Sequence, residues 1–239
     1  MYKSILLFLF PFLLLFPSCK KELTLPAKVI FEFGMISYEN EENDLKNVPP
    51  VDIPKGRILI DRGTLSIESI EFDGRRDEGR DVFFVSDLRQ ALTVDLETGQ
   101  ISQPLSFDIP QGVYNRVELF FELGGDDNIP FLLEGSIRLG HLDEIPLRFE
   151  YNIREQIRIR AEPGKRSDKI VLRKDTPSTA RVVVDAGAMF EFVNMGMIRN
   201  ASLSAVEGEN MILINSGMNN DIFNSIANRL EKSFRVVID

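Results

Sequence analysis

The sequence predicts a mainly β protein: an antiparallel β-sandwich with one or two short helices near its C-terminus. Three observations carry that expectation. Apolar residues alternate with polar ones over short runs, most cleanly at 105–123, as half-buried strands require. Clusters of Gly, Pro, Asn and Asp separate those runs at short intervals, the pattern of a sandwich rather than of βαβ units. Helical spacing is found only after Asp185, in two stretches.

The first run, 29–38, alternates Val29, Phe31 and Phe33 with Ile30, Glu32 and Gly34 and reads as a strand. A loop at 39–54 follows, acidic at Glu39, Glu41, Glu42 and Asp44 and closed by Pro49-Pro50 and Pro54. Strands are expected at 57–61 and 64–72. In the second, Leu65 and Ile67 point one way and Ile70 and Phe72 switch face, which suggests a bulge or twist. A charged turn at 73–81 contains Gly74 and Gly79. Short strands are expected at 82–85, buried, and at 92–96, ended by Glu97-Thr98-Gly99.

At 105–123, Leu105, Phe107 and Ile109 alternate with Ser106 and Asp108 before Pro110-Gln111-Gly112 breaks the run. Val117, Leu119, Phe121 and Leu123 then resume it. Proline fixes φ entering a turn and glycine supplies positive φ leaving it, so the pattern predicts a hairpin. Tyr114, just past the break, is placed to brace the turn with its hydroxyl. Further strands are expected at 131–139, 146–151, 156–161, 170–173 and 180–185, with Gly140, Asn152 and Pro163-Gly164 in the turns.

Asp185 is a helix N-cap candidate, followed by Ala186, Met189, Phe190, Val193 and Met197 at helical spacing. Strands are read at 201–206 and 211–215. Asn219-Asn220-Asp221 opens the clearest helix, with Ile222, Phe223, Ile226 and Leu230 on one face and Asn224, Asn228 and Glu231 opposite. Arg229 and Lys232 fall in its last turn, where they complement the dipole. Phe234, Val236 and Ile238 alternate to the end as a closing strand.

The leader reads differently. Lys3, an apolar run at 5–16 and Phe16-Pro17-Ser18-Cys19 make a secretory signal, too short to span a bilayer as a stable helix. Cys19, the chain's one cysteine, follows that core directly, and the segment resembles the bacterial lipobox. The resemblance implies that Cys19 is lipidated and becomes the first mature residue. Phe16 stands where the lipobox prefers Leu, and Pro17 is unusual there, while Ser18 fits the small residue before the cut. A simple secretory signal and an uncleaved anchor are the alternatives. Residues 1–18 thus read as a lipoprotein signal peptide, 19–28 as a tether and 29–239 as the sandwich body, with a subdivision near 163–180 left open.

The mature start, Ser18-Cys19-Lys20-Lys21-Glu22, is similar to that of many lipoproteins of the Bacteroidota. In that group a lysine followed by acidic residues after the cysteine directs surface export; here only Glu22 follows, so periplasmic and cell-surface faces both stay open. The run Leu105 to Leu119, with Ile109-Pro110-Gln111-Gly112-Val113-Tyr114, resembles a strand–turn–strand of uncharacterised lipoproteins of the same phylum. That resemblance implies an immunoglobulin-like or transthyretin-like sandwich and brings no catalytic residue with it.

Composition narrows the classes. The net charge of −9 gives the chain no reason to seek nucleic acid or anionic headgroups. An apolar fraction of 44% is enough to build a core. With Cys19 acylated, no thiol remains for a disulfide, so stability rests on burial. There is no Trp, and the 14 Phe of the 18 that lie outside the leader are expected in the core.

The residues offer little chemistry. His141 is the one histidine and sits in a turn, which excludes Cys–His catalysis and His-rich zinc sites. No Gly-Xaa-Ser-Xaa-Gly elbow is present. Acidic clusters at Glu39–Asp44, at Asp126-Asp127 and at Asp73, Asp77 and Glu78 lack the spacing of a calcium loop. Arg154, Arg158, Arg160, Lys165 and Arg166 read as a solvent face, with Ile153, Ile157 and Ile159 turned inward. A glycan platform would have to use Tyr38, Tyr114 or Tyr151.

The expected protein is therefore a non-enzymatic, lipid-anchored component of the outer membrane. It has no catalytic, cofactor-binding or metal-binding residue, and Cys19 is its lipidation site. Its expected partners are the membrane, through lipid on Cys19, and another envelope protein or a glycan; nucleic acid is excluded. The alternative function is a glycan- or ligand-binding lipoprotein of a nutrient-uptake system. A hydrolase working with carboxylates alone is the weakest reading.

Overall fold

The computed structural model describes residues 24–36, 57–125, 129–138, 144–164 and 167–239. The chain forms β1 (Pro26–Ile36), β2 (Arg57–Arg76), β3 (Val82–Asp95), β4 (Ser106–Pro110), β5 (Gly112–Leu123), β6 (Phe131–Arg138) and β7 (Glu144–Tyr151). Next come β8 (Glu155–Pro163), β9 (Ile170–Leu172) and β10 (Ser178–Asp185). Helices α1 (Ala186–Phe190) and α2 (Met195–Arg199), strands β11 (Leu203–Val206) and β12 (Glu209–Ile214), helices α3 (Asn220–Ala227) and α4 (Leu230–Ser233), and β13 (Phe234–Ile238) complete the chain.

The strands hydrogen-bond in the order β11-β12-β7-β6-β2-β5-β8-β13-β10-β1-β4, with β3 also on β2 and β9 also on β5. The expectation of a purely antiparallel sheet is corrected by three parallel pairings: β1 with β10, β12 with β7 and β13 with β8. Each joins strands far apart in sequence. A long connection returns the chain in either direction, whereas a tight turn permits only the antiparallel one.

The two strands read at 57–61 and 64–72 are one strand, β2, which continues through the charged segment as far as Arg76. Its register shifts between Ile60 and Arg62 and again between Ile67 and Ser69. The second shift is the face switch legible in the sequence: an extra residue lets Leu65, Ile67, Ile70 and Phe72 all reach the core. Gly63 does not end the strand, because a bulge bends a ladder without breaking it.

Strand β3 likewise replaces two short strands. Phe83 and Val85, expected in the core, are 64% and 51% exposed. β3 pairs only with β2, and its pleat points these side chains away from the core while Phe84 stacks on Phe72 with centroids 5.4 Å apart. Phe192 is also exposed, and half-buried Phe120 lies off the core under the Arg158 guanidinium, so three phenylalanines of the body lie outside the core. Ile153, expected to face inward, is 42% exposed, because it lies in the turn between β7 and β8.

The Pro110 break does not close a hairpin. β4 pairs with β1, whereas β5 pairs with β2, β8 and β9. The same turn chemistry makes a corner instead, carrying the chain between distant places in the strand order through the single residue Gln111.

The helices follow their local signals only in part. Among the described residues, four short helices replace the one or two expected. The stretch read from Asp185 to Met197 is two, α1 and α2, the second capped by Asn194 Oδ1, which accepts from the Gly196 and Met197 N–H groups. Asp185 Oδ1 accepts from the Ala188 N–H at 2.8 Å, the capping bond its side chain predicts. The long C-terminal helix is split into α3 and α4 at Asn228–Arg229. Arg229 is not a dipole partner in a last turn. Its Nε donates to the Ala188 carbonyl at 2.7 Å, it pairs with Glu191, and its guanidinium lies 4.5 Å from the Phe192 ring centroid. The apolar face is as read: Ile222, Phe223, Ile226 and Leu230 are buried.

Phe149 centres the aromatic core, touching Phe131, Tyr151, Phe190 and Phe223 at centroid distances of 5.9–6.4 Å. Helices α1 and α3 thus cap strands β6 and β7 through ring contacts.

Candidate functional site

The corner between β4 and β5 gathers more specific contacts than its sequence suggests. Pro110 carries no N–H and fixes the approach. Gly112 sits at φ 153°, and a Cβ there would lie 3.0–3.1 Å from the Arg76 guanidinium. Tyr114 is buried, and its hydroxyl donates to the Pro110 carbonyl at 2.5 Å. This is the brace expected from its position, applied to a corner rather than a hairpin.

Arg76, at the end of β2, reaches across. Its Nη2 donates to the Gln111 carbonyl at 2.7 Å, and its guanidinium carbon lies 5.9 Å from the Tyr114 ring centroid. Its own N–H donates to Asp81 Oδ1 at 3.1 Å, folding the 77–81 loop back. The Gln111 N–H donates to the Leu25 carbonyl at 2.8 Å, and Gln111 Oε1 accepts from the Lys174 N–H at 3.2 Å. Three separate chain segments therefore meet on Gln111. Among them is Thr24-Leu25, the described end of the stretch that follows Cys19. β1 begins at Pro26, so the structured body starts inside the stretch read as tether.

Beside the corner, β8 leaves β5 to pair with β13, and β9 takes its place on β5. The divergence opens a surface cavity of about 300 Å³ lined by Asn115, Arg116, Arg160, Glu162 and Lys169 among others. Its charges are mixed. Arg116 reaches Asp73 at 3.3 Å, and Lys169 reaches Asp77 at 2.6 Å. The hydrogen bond from Lys169 holds the Asp77 carboxyl below the usual carboxylate range. Glu118, buried on β5, accepts from Arg158 at 2.7 Å. These ion pairs tie most of the groups to one another, although the buried Arg116 Nε has no hydrogen-bond partner among the described residues.

Cys19, His141, Tyr38, the acidic run Glu39–Asp44, the pair Asp126-Asp127, and Lys165 and Arg166 lie outside the described residues. Of the acidic cluster at 73–78, Asp73 and Asp77 are tied to arginine and lysine. Among the described residues no group of three or more His, Cys, Asp and Glu side chains is arranged to hold a metal ion. Tyr114 and Tyr151 are interior, 1% and 3% exposed, so neither forms a platform. Arg158 and Arg160 face solvent opposite Ile157 and Ile159, as the alternation requires. Sequence reading missed Arg76 and Gln111. The Gly74-Arg75-Arg76 run looked like a loop, and nothing local marks a residue whose partners are remote in sequence.

Replacing Tyr114 with Phe is expected to cost about 1–2 kcal/mol in urea unfolding, since the Pro110 carbonyl loses its phenol donor. A loss under a few tenths would show the corner holds without it. Burial pushes the Tyr114 hydroxyl up to about 12, with Arg76 pulling weakly the other way. The folded state therefore keeps this proton more tightly than the unfolded chain, whose tyrosines titrate near 10. The stability so contributed is full below pH 10 and is lost as pH rises toward 12. Tyr151, also raised by burial and by its bond to Glu155, adds in the same direction. Melting temperature followed through this window should fall in the wild type and fall less in Tyr114→Phe.

Comparison of the chain with protein-family models, with curated proteins and with solved structures finds no match.

Proposed function

We propose that this chain is a lipid-anchored cell-envelope protein that works by holding a partner or a structure in place rather than by catalysis. The reading rests on Cys19 at the end of the signal-like leader, close ahead of a strand fully integrated in the body. Pro26 opens β1, which is paired along both edges by β10 and β4. A lipid on Cys19 would thus pull on the body through a short lead into a well-paired strand. Ion pairing of Asp73, Asp77, Glu118, Glu134 and Glu150 suits a structural role for these carboxylates. Interior placement of Tyr114 and Tyr151 draws support away from the glycan-binding alternative.

We propose further that the strands pack as a β-sandwich of mixed strand direction, facing the outer membrane from its periplasmic or cell-surface side. Ring contacts support the sandwich. Phe33 on β1 meets Phe121 on β5 at 6.4 Å, and Phe131 on β6 meets Phe234 on β13 at 5.9 Å. In each pair the strands are not neighbours in hydrogen-bonding order, as facing layers require.

Growing cells with a clickable fatty acid tests the anchor. The wild-type chain should carry the label and Cys19→Ala should not. Label retained by Cys19→Ala, or missing from the wild type, would refute it.

A further inference from the structure

We infer that the end of the body carrying the β4–β5 corner lies against the lipid surface, so that the protein stands end-on at the membrane. This rests on acylation of Cys19. Lys20 to Leu25 are six residues, which reach at most about 21 Å when fully extended. Leu25 is fixed to the corner through the Gln111 N–H. The corner end is therefore the end delivered to the bilayer.

The surface there fits that neighbour. Leu25 and Val171 are exposed apolar residues, 36% and 39% accessible, and β9 places Val171 beside Val113 just past the corner. Arg75, Arg80, Arg173 and Lys174 are exposed, and their side chains have no ion-pair partner among the described residues. Of the carboxylates at this end, Asp77 is held by Lys169 and Asp81 accepts from the Arg76 N–H, while Glu78, Asp168 and Asp175 are exposed. In a chain of net charge −9, this end thus offsets its own carboxylates with exposed cations and sets apolar side chains beside them where the tether emerges. Apolar groups among cations suit the interface of an anionic bilayer.

The opposite end is far enough away to serve as a reference. β5 pairs Val113 with Val171 at the corner end and Leu123 with Glu155 at the other. Ten residues of strand rise about 33 Å. Ile153, exposed in the turn before Glu155, marks that distant end.

The test uses the full acylated chain in vesicles of phosphatidylcholine and phosphatidylglycerol with brominated acyl chains. With Cys19 lipidated, an introduced cysteine is the one free thiol. A fluorophore on Val171→Cys, or on Arg80→Cys should that variant fold poorly, should be quenched several-fold more than one on Ile153→Cys. Equal quenching would mean the body lies flat, and stronger quenching at Ile153 would mean it is inverted; either overturns the proposal. Flotation with the same vesicles separates the two readings. If only acylated wild type floats while the labels show no gradient, the anchor stands and the orientation fails. If Cys19→Ala floats as well as wild type, or if the wild type does not float, the anchor fails and this inference with it.

Discussion

Truncating Phe149 to Ala is expected to cost about 3–5 kcal/mol of folding stability. The side chain has no exposure, and four aromatic rings from β6, β7, α1 and α3 pack on it. Its removal forfeits the transfer energy of a whole phenyl ring and leaves a hole among rigid neighbours. Those neighbours cannot collapse into it cheaply, since Phe131 also packs on Phe234 and Phe223 on Tyr151. A domain's whole stability is about 5–15 kcal/mol, so this variant takes a large share. Urea unfolding should show a much lower midpoint with an unchanged slope. Phe149→Leu, which keeps most of the volume, should lose clearly less. An unfolding free energy within about 1 kcal/mol of wild type in Phe149→Ala would mean that the cluster is not the centre of the core.

Gly135→Ala is expected to be as damaging, for a different reason. A Cβ at Gly135 would lie 1.9 Å from the Leu59 carbonyl oxygen and 2.9 Å from the Ile60 Cα. Gly135 pairs with Ile60 where the β2 register shifts, and the bulge pushes the β2 backbone over β6. All three of the nearest atoms are backbone, so relief requires moving a strand rather than turning a side chain. Overpacking commonly costs about 1–3 kcal/mol, and a backbone clash this close belongs at or beyond the upper end. Gly34→Ala is the matched control, with nothing within 4 Å of its Cβ. Both changes narrow the unfolded ensemble equally, which by itself favours the folded state by about 0.4–1 kcal/mol. Gly34→Ala should therefore be neutral or slightly stabilising. Equal behaviour of the two variants would dismiss the bulge as the cause.

Legibility differed between the fold and the site. Alternation marked part of every strand, from Val29, Phe31 and Phe33 on β1 to Phe234, Val236 and Ile238 on β13, but broke β2 and β3 into two strands each. The Asp185 cap and the buried stripe of α3 were readable because their partners lie within a few residues. The Tyr114 brace was readable for the same reason, since its acceptor is Pro110. The meeting of Leu25, Arg76 and Lys174 on Gln111 was not, because those residues are separated by long stretches of chain.

The sequence alone determined which side chains turn inward on most strands, that the chain bends at Pro110–Gly112, where α1 and α3 start, and that Cys19 follows a signal-like leader. A period of two, a missing proline N–H and a capping carboxylate are local properties. Tertiary structure alone decided which strands pair, because backbone hydrogen bonds are the same for every residue and carry no partner's name. Proline and glycine at 110 and 112 bend any chain, but only the surrounding strands make that bend a corner. Phe83 and Val85 belong to an unbroken apolar run that reads as a buried strand and are nevertheless exposed, since which face of β3 is covered depends on what the rest of the molecule lays against it.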